Sequence, residues 1–165
     1  MKYLLDSCVV IDICHTDPTI LALLPRLGPP LFVTELSEEL EDLKNVSPQE
    51  IRLKYLDADF EDIAFANDHK RASPLSWEDW VCLKTAARHG LTLITNDQRL
   101  RKECQRENVP TQYESYLIFS LFQAGILSRK EAETYIRAVC ETNSFITEAV
   151  KQEALNQLAK LDVIK

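Results

Sequence analysis

The sequence predicts an α/β fold in which a parallel β-sheet lies between two layers of helices, in a three-layer α/β/α arrangement. Short apolar runs at residues 2–5, 31–34 and 91–95 are each followed by a segment with the spacing of a helix. Strands that alternate with helices usually pair in parallel, and both faces of such a sheet are covered. At 165 residues with 45% hydrophobic content, the chain is long enough for one domain with a substantial core. We expect this core over residues 1–112 and a helical C-terminal extension over residues 113–165.

Capping signals place further elements in the first half of the chain. An Asp-Pro pair predicts a short helix over residues 19–24, and leucines at helical spacing predict another within 35–44. A Ser-Pro-Gln-Glu capping box at residues 47–50 opens a third predicted helix, which runs to about residue 57. Residues 60–66 alternate between apolar and polar side chains and are predicted to form a strand.

The second half begins with a helix whose two ends are marked. Ser76 has a residue type preferred at a helix N-cap, and Gly90 fits the left-handed position that ends the helix. The strand at residues 91–95 follows, then an amphipathic helix to about residue 107 and an extended piece near 109–112. Three helices are predicted for the remainder, over residues 114–124, 129–141 and 147–161.

Charge and hydropathy exclude several classes of protein. The net charge of −7 argues against a protein that holds nucleic acid or an anionic membrane by bulk electrostatics, so any such contact must be local. No run approaches the roughly 18 apolar residues that indicate a membrane span, and the first apolar stretch lacks a basic leader. We therefore expect a cytoplasmic protein without a membrane partner.

Cysteine and glycine content excludes further chemistry. The five cysteines are scattered and form no Cys-x-x-Cys pair, so we expect buried thiols and neither a disulfide framework nor a zinc site. The three glycines cannot make a Gly-x-Gly-x-x-Gly fingerprint or a Walker loop. Dinucleotide and P-loop chemistry are therefore excluded.

Acidic side chains lie where the predicted sheet would bring them together. Asp6 and Asp97 each follow an apolar strand, and parallel α/β sheets bind their ligands beyond the carboxyl ends of the strands. Asp79 lies in the first turn of the helix that precedes the Asp97 strand. Three glutamates occupy the first turns of the helix after the second strand: Glu35, Glu38 and Glu39. All of these acids are placed where they could converge.

Converging carboxylates require either protons or a cation. A pair of carboxylates about 4 Å apart repels by roughly 1 kcal/mol in water and by about 4 kcal/mol at an effective dielectric near 20. Mg²⁺ and Mn²⁺ prefer carboxylate oxygens and supply the missing positive charge directly. If these acids meet, the sequence therefore predicts a divalent-metal site.

Each acid also has a purely structural interpretation. Asp79 comes three residues after Ser76 and could complete a capping box. Asp97 could cap the helix that follows it, and the glutamates could belong to a solvated helix face. Asp6 has no equally obvious capping role. The structural interpretation must also explain why separate acids reach one edge of one sheet.

Two segments resemble those of a known family, the PIN domains. KYLLDSCVVID resembles the first strand of the family, which ends in Asp followed by Thr or Ser. LSWEDWVCLKTAARHGLTLITNDQRLR resembles the later helix-strand-Asp segment, with Asp79, Gly90, Thr95 and Asp97 in register. The resemblance covers residues 1–112, and the helical tail is similar to the extension of a subgroup related to VapC-type toxins.

The resemblance implies a divalent-metal ribonuclease that hydrolyses RNA phosphodiester bonds through a cluster of carboxylates, with Mg²⁺ or Mn²⁺ as the cofactor. The metal-binding and catalytic acids of the family correspond to Asp6, Asp79 and Asp97. A catalytic glutamate early in the second helix is also implied. The pattern of an acid just before a core leucine favours Glu39, although its spacing from the strand is one residue short, so Glu35 and Glu38 stay open.

Other roles follow from the same resemblance. Ser7 and Thr95 would be hydroxyls that orient the carboxylates, whereas Cys8 stands where the family usually has Asn or another small polar residue. Family members are often the toxin of a toxin–antitoxin pair, so an RNA substrate, an antitoxin protein and a second copy of the chain are the implied partners. The alternative is a binding or interaction module that kept the PIN fold and lost hydrolysis.

Basic residues in the last predicted helix of the PIN-like segment are candidate contacts for RNA. Arg99, Arg101 and Lys102 follow the strand-end aspartate closely, so a basic rim beside an acidic centre is expected. The alternative is a solvated helix whose charges are balanced by Glu103 and Glu107.

Overall fold

The computed structural model describes residues 2–34, 53–71, 74–143 and 146–164. Within these ranges, one sheet contains five strands: β1 (Tyr3–Leu5), β2 (Leu31–Thr34), β3 (Lys54–Leu56), β4 (Thr92–Ile94) and β5 (Thr111–Gln112). They lie in the order β3-β2-β1-β4-β5, and every neighbouring pair is parallel. The fold is therefore of the predicted α/β class with a parallel sheet.

Helices surround this sheet. The described ranges contain α1 (Ser7–Thr16), α2 (Thr19–Leu23), α3 (Phe60–His69), α4 (Trp77–His89), α5 (Gln98–Arg106), α6 (Ser115–Gln123), α7 (Arg129–Thr142) and α8 (Glu148–Lys160). A short 3₁₀ helix, Leu24–Leu27, continues α2. No single helix in these ranges is long and apolar enough to cross a membrane, and α1 reaches that length only together with residues 19–27, across a bend of 111°.

Helices cover both faces of the sheet, which gives the three-layer α/β/α arrangement that the sequence predicts. Tyr3 and Leu5 of β1 lie in one hydrophobic core, together with buried residues of α1, α2, α6, α7 and α8. Leu4, between them, lies in a second core with buried residues of α3, α4 and α5. All three residues of β1 are buried, as expected for a strand in the middle of a sheet covered on both sides. The C-terminal helices thus belong to the first core.

The structure corrects the sequence analysis between residues 54 and 69. The helix predicted to run to about residue 57 is wrong at its end, because Lys54–Leu56 is strand β3. The start of that predicted helix, at residues 47–50, lies outside the described residues. The strand predicted at residues 60–66 is also wrong, because Phe60–His69 is helix α3.

Backbone pairing and capping explain both corrections. Lys54 and Tyr55 are exposed, so β3 is held at the sheet edge by its backbone pairing with β2 and not by an apolar face. Helix α3 begins with a capping box, in which the Asp59 carboxylate accepts the N–H groups of Glu61 and Asp62 at 3.0 Å. The Asp62 carboxylate accepts the N–H of Asp59 in return, at 3.3 Å. This box favours a helix over the strand that the apparent alternation suggested.

Arg88 of α4 ties these elements together. Its guanidinium contacts the carboxylate of Asp62 at 2.7 Å and that of Asp59 at 3.0 Å. It also donates to the backbone carbonyl of Asp57, just after β3, at 3.0 Å. Because Asp62 is buried, Arg88 supplies the positive charge that this carboxylate needs. Helix α3 is in this way attached to α4, the helix that carries Asp79.

Replacing Arg88 with methionine should lower the free energy of unfolding by about 1 to 2 kcal/mol, because Asp62 would stay buried without its cation. The value is smaller than for a fully buried pair because the Arg88 side chain is 33% exposed. Urea unfolding of the two proteins measures the difference. Arg137→Met, at an exposed arginine of α7, is the matched control. Equal stability of the parent and Arg88→Met would contradict the role assigned to Arg88.

Candidate functional site

Asp6 and Asp97 lie at the same edge of the sheet because the strands before them are parallel neighbours. β1 and β4 pair with Leu5 opposite Ile94, so the chain leaves both strands at the same level. The backbone N–H of Asp6 donates to the carbonyl of Ile94 at 3.0 Å, which fixes Asp6 against β4. Asp6 is only 5% exposed. The register thus places one carboxylate inside the molecule, beside the turn that carries the other.

The hydroxyl of Thr95 connects these two acids. It donates to Oδ2 of Asp6 at 2.7 Å and accepts from the backbone N–H of Asp97 at 3.1 Å. Thr95 is buried, so its hydrogen bond to Asp6 is shielded from water, whereas the bond from Asp97 is partly buried. One hydroxyl therefore fixes the orientation of the Asp6 carboxylate relative to the turn. Ser7, the other predicted hydroxyl, is the half-buried first residue of α1, and its role stays a prediction.

Asp79 reaches the same region from the first turn of α4. Its Oδ2 accepts the backbone N–H of Ser76 at 2.8 Å, and its own N–H donates to Oγ of Ser76 at 3.0 Å, which completes a capping box. Burial raises the pKa of Asp79, the hydrogen bonds from Ser76 oppose this change, and the negative charge of Asp97 raises the pKa further. The carboxylates of Asp79 and Asp97 are therefore close enough to interact.

All three aspartates interact with one another. Burial raises the pKa of Asp6 to about 7, the hydrogen bond from Thr95 opposes this change, and the negative charges of Asp79 and Asp97 add to it. A carboxyl group with this pKa keeps a proton on about half of the molecules near neutral pH. The site therefore does not hold all of its negative charge without a proton or a cation.

The structural interpretation of Asp79 and Asp97 is confirmed, since Asp79 completes the capping box of α4 and Asp97 caps α5. Oδ1 of Asp97 accepts the N–H groups of Arg99 and Leu100 at 2.6 and 3.1 Å, at the start of α5. Asp79 uses Oδ2 in its capping box. The second oxygen of each of these carboxylates accepts no hydrogen bond from the residues that the structure describes. Capping thus occupies one oxygen and leaves the other for a ligand.

A preformed metal cluster is not found in the described part of the chain. No three His, Cys, Asp or Glu side chains there are placed to hold one metal ion. The predicted catalytic Glu39, with the open alternatives Glu35 and Glu38, lies outside the described residues. The negative charges of Asp79 and Asp97 reach Asp6 and that of Asp97 reaches Asp79, and the catalytic and metal-binding roles of the three aspartates stay predictions.

A buried polar network next to the site was missed by sequence reasoning. Asn96, between Thr95 and Asp97, donates from its side chain to the carboxylate of Glu114 at 2.8 Å and to that of Asp12 at 3.3 Å. Its Oδ1 accepts the backbone N–H of Glu114 at 3.3 Å. Both ends of the Asn96 amide are therefore held, which gives the turn that carries Asp97 a second set of hydrogen bonds besides those of Thr95.

Side chains of α7 and its C-terminus complete this network. The hydroxyl of Tyr135 donates to Glu114, and the side-chain amide of Asn143 donates to Asp12. Glu114 is 1% exposed. Burial raises the pKa of Glu114 to about 7, against the hydrogen bonds from Tyr135 and Asn96. The network therefore connects α7 to the turn between β4 and α5.

The sequence contains one weak signal for Glu114. It is the acid directly before the apolar stretch of residues 115–123, where a carboxylate at a helix start is normally taken as an exposed cap. No local spacing relates it to Asn96, because 18 residues separate the two in the chain.

The basic residues predicted to contact RNA lie on α5. Arg99 and Lys102 are exposed and Arg101 is half-buried. The two glutamates that could have balanced them have other partners: Glu103 pairs with Arg106 at 2.8 Å, and Glu107 pairs with Lys84 at 2.7 Å. In the described ranges, no acid pairs with Arg99, Arg101 or Lys102. The positive charge of this part of α5 is therefore not neutralised by its own helix.

Comparisons with known proteins do not assign the chain to a family. No protein-family model matches it, and no curated protein matches it. Among solved structures, a chain in the crystal structure of VapBC2 from Rickettsia felis, bound to a DNA fragment from their promoter, is similar with a TM-score of 0.47 and 14% identity. The match covers 68% of this chain and 98% of that chain. At this level, similarity says nothing about the chemistry of the site.

Glu114→Gln should weaken the pH dependence of stability. Burial raises the pKa of Glu114 from 4.5 to about 7 on folding, so its contribution to stability is fully present below pH 4.5 and is lost as the pH rises through about 7. Glutamine does not titrate, so the free energy of unfolding of the variant should fall less than that of the parent between pH 4.5 and about 7. The difference between the two falls should be at most about 3 kcal/mol. Urea unfolding at several pH values measures the difference, with Glu141→Gln, at an exposed glutamate of α7, as the control. Identical pH profiles for the parent and Glu114→Gln would contradict this assignment.

Proposed function

We propose that this chain is a PIN-like, divalent-metal-dependent ribonuclease that hydrolyses RNA phosphodiester bonds. The observation that supports the proposal best is that Asp6 and Asp97 follow paired parallel strands and are linked through Thr95, while the negative charge of Asp79, from a third part of the chain, reaches Asp6. Perturbed acids that face one another are concentrated at functional sites. Their position beyond the carboxyl ends of parallel strands is also where α/β sheets bind ligands.

The donor set fits Mg²⁺ or Mn²⁺. All three side chains offer carboxylate oxygens, which these hard cations prefer. Two of them, Asp79 and Asp97, keep one oxygen without a hydrogen bond from the described residues. Glu39 is the proposed fourth acid. A bound ion would activate a water molecule and stabilise the negative charge that develops on the phosphate.

The side chains of the protein would orient the reacting groups. Thr95 holds the Asp6 carboxylate through its hydroxyl, and the network around Glu114 holds the turn that follows. We assign Ser7 a similar orienting role. The proposed contacts to the RNA phosphates are Arg99, Arg101 and Lys102.

We also propose a cytoplasmic location and protein partners for this ribonuclease. The chain would be the toxin of a toxin–antitoxin pair, with an antitoxin protein and a second copy of itself as partners. The support for this part is the resemblance of residues 1–112 to PIN domains and of the helical tail to the VapC-related subgroup.

A second candidate is an interaction module with the same fold and no hydrolytic activity. It is favoured by one observation: the described residues contain no group of three side chains placed to hold a metal ion. The two candidates differ in metal binding and in RNA cleavage, so both measurements are needed.

Asp6→Asn should fold and lose metal-dependent cleavage of single-stranded RNA. Asparagine can still accept the hydrogen bond from Thr95, but it removes the negative charge, so we expect the rate to fall by about 100-fold or more. Cleavage of labelled RNA with Mn²⁺, and with EDTA as the blank, measures this loss. Asp68→Asn, at an exposed aspartate of α3, is the matched control. If Asp6→Asn cuts RNA as fast as the parent, the catalytic assignment is wrong.

Asp97→Asn should bind Mn²⁺ at least about tenfold more weakly than the parent. Asparagine is as good an N-cap as aspartate, so the substitution preserves the start of α5 while it removes a proposed ligand charge. Calorimetric titration of both proteins with Mn²⁺ measures the difference. A parent protein that binds no Mn²⁺ would favour the interaction module over the ribonuclease.

A further inference from the structure

A cleft lies between α5 and the edge strand β5, on the side of the sheet where Asp97 begins α5. Its volume is about 480 Å³. Residues at successive turns of one face of α5 and alternate residues at β5 line it: Gln98, Arg101, Lys102, Gln105, Thr111 and Tyr113. We call it the α5–β5 cleft. Arg101 and Lys102, which the sequence predicts to contact RNA, therefore line the α5–β5 cleft.

The α5–β5 cleft is cationic although the protein is acidic. The chain carries a net charge of −7, yet no acid from the described residues lines the cleft. The nearest glutamates of α5 and its C-terminus are paired elsewhere, with Arg106 and Lys84. An anionic ligand would therefore meet two positive charges and no acid among the described residues that line the cleft.

Arg101 is held in a fixed plane by an aromatic ring. Its guanidinium lies 3.7 Å from the centroid of the Tyr113 ring. Nη1 of Arg101 is enclosed and has no hydrogen-bond partner among the described residues, and no acid there pairs with this side chain. Cation–π stacking thus orients a guanidinium whose hydrogen-bonding capacity is unused, and a planar guanidinium is well suited to binding phosphate.

Size and position favour one nucleotide as the occupant. Small-molecule clefts have volumes of roughly 300–1,000 Å³, so this one is large enough for a nucleotide. Arg101 lies four residues after Asp97, about 6 Å along the helix axis. A strand whose phosphodiester reached the three aspartates would therefore extend into the cleft with an adjacent nucleotide. An unpaired base has a free face that can stack on a guanidinium or a tyrosine.

We propose that the α5–β5 cleft binds one unpaired nucleotide of an RNA strand next to the candidate active site. Arg101 and Lys102 contact the phosphate, the base stacks on the Arg101–Tyr113 pair, and Gln98 and Gln105 offer hydrogen bonds to the base or the ribose. This inference rests on the proposed function in one respect, the identification of the strand as the substrate. Binding of an unpaired nucleotide in the α5–β5 cleft would make the chain selective for single-stranded RNA.

Binding of RNA without cleavage tests the cleft directly. Fluorescein-labelled single-stranded RNA of mixed sequence is titrated with the parent protein in EDTA, and fluorescence anisotropy gives the affinity. Arg101→Gln and Tyr113→Leu should each weaken binding by about tenfold. Arg137→Gln, the same change at an exposed arginine of α7, should change affinity by less than about twofold. Thermal unfolding establishes that each variant is folded.

The salt dependence of binding separates a charge contact from a stacking contact. Arg101→Gln should reduce the slope of log affinity against log salt by about one, whereas Tyr113→Leu should leave the slope unchanged. Arg101→Lys should retain the parent slope and still bind more weakly, because lysine lacks the planar guanidinium. These three results together support the proposed binding of RNA in the cleft. If Arg101→Gln or Tyr113→Leu does not fold, the affinity and salt slope of Arg101→Lys provide the test.

Other outcomes overturn the proposal. RNA binding that is unchanged in Arg101→Gln and Tyr113→Leu removes the cleft from the binding site, and a parent protein that does not bind RNA does the same. A polyglutamate peptide that competes as well as RNA of equal charge would identify an acidic protein as the occupant. Loss of RNA binding in both variants, in a parent protein that does not cleave RNA with Mn²⁺, would support the cleft and overturn the ribonuclease.

Discussion

The arrangement of the candidate site depends on one buried hydroxyl. Thr95 donates to the Asp6 carboxylate and accepts from the backbone N–H of Asp97, so a single oxygen links the Asp6 carboxylate to the backbone that carries Asp97. The parallel pairing of β1 with β4 determines where this hydroxyl lies, and Asn96 holds the next residue through Glu114. The turn is therefore held at two consecutive residues, and it cannot move away from Asp6 without loss of buried hydrogen bonds.

The proximity of the three aspartates destabilises the folded protein electrostatically, and the rest of the fold compensates for this. Burial and the neighbouring acids disfavour the charged form of Asp6, and only hydrogen bonds oppose them. Two hydrophobic cores, one on each face of the sheet, supply stability that does not depend on this edge. Unfavourable local interactions, such as those among buried acids, are typical of functional sites, where the stability of the rest of the structure compensates for them. The capping roles of Asp79 and Asp97 reduce the cost, because each carboxylate also satisfies backbone N–H groups of its own helix.

Local signals predicted much of this arrangement, and long-range contacts account for what was missed. Strand-end acids in a parallel sheet must share an edge, so Asp6 and Asp97 could be placed from the sequence. The segment 54–69 could not, because an exposed edge strand has no apolar pattern and the short run after Asp59 fits a period of two as well as a helix. The Asp12 contact with Asn143 spans 131 residues, and only the packing of α7 against α1 brings those side chains together.

Opposite charges on neighbouring surfaces resolve the difficulty of an acidic protein that is proposed to bind RNA. Asp97 lies at the start of α5, and Arg101 and Lys102 of the α5–β5 cleft lie about one turn further along the same helix. At physiological salt, charges screen one another over about 8 Å. A phosphate in the cleft is therefore influenced mainly by the charges close to it, which are Arg101, Lys102 and Asp97, and only weakly by distant acids of the chain. The net charge of the chain therefore affects its solubility and its non-specific repulsion of RNA. The positive charge of the side chains along α5 determines whether an RNA strand can lie across the aspartates. Because Glu114 and Asn96 connect the start of α5 to α7, the C-terminal helices also contribute to this local arrangement.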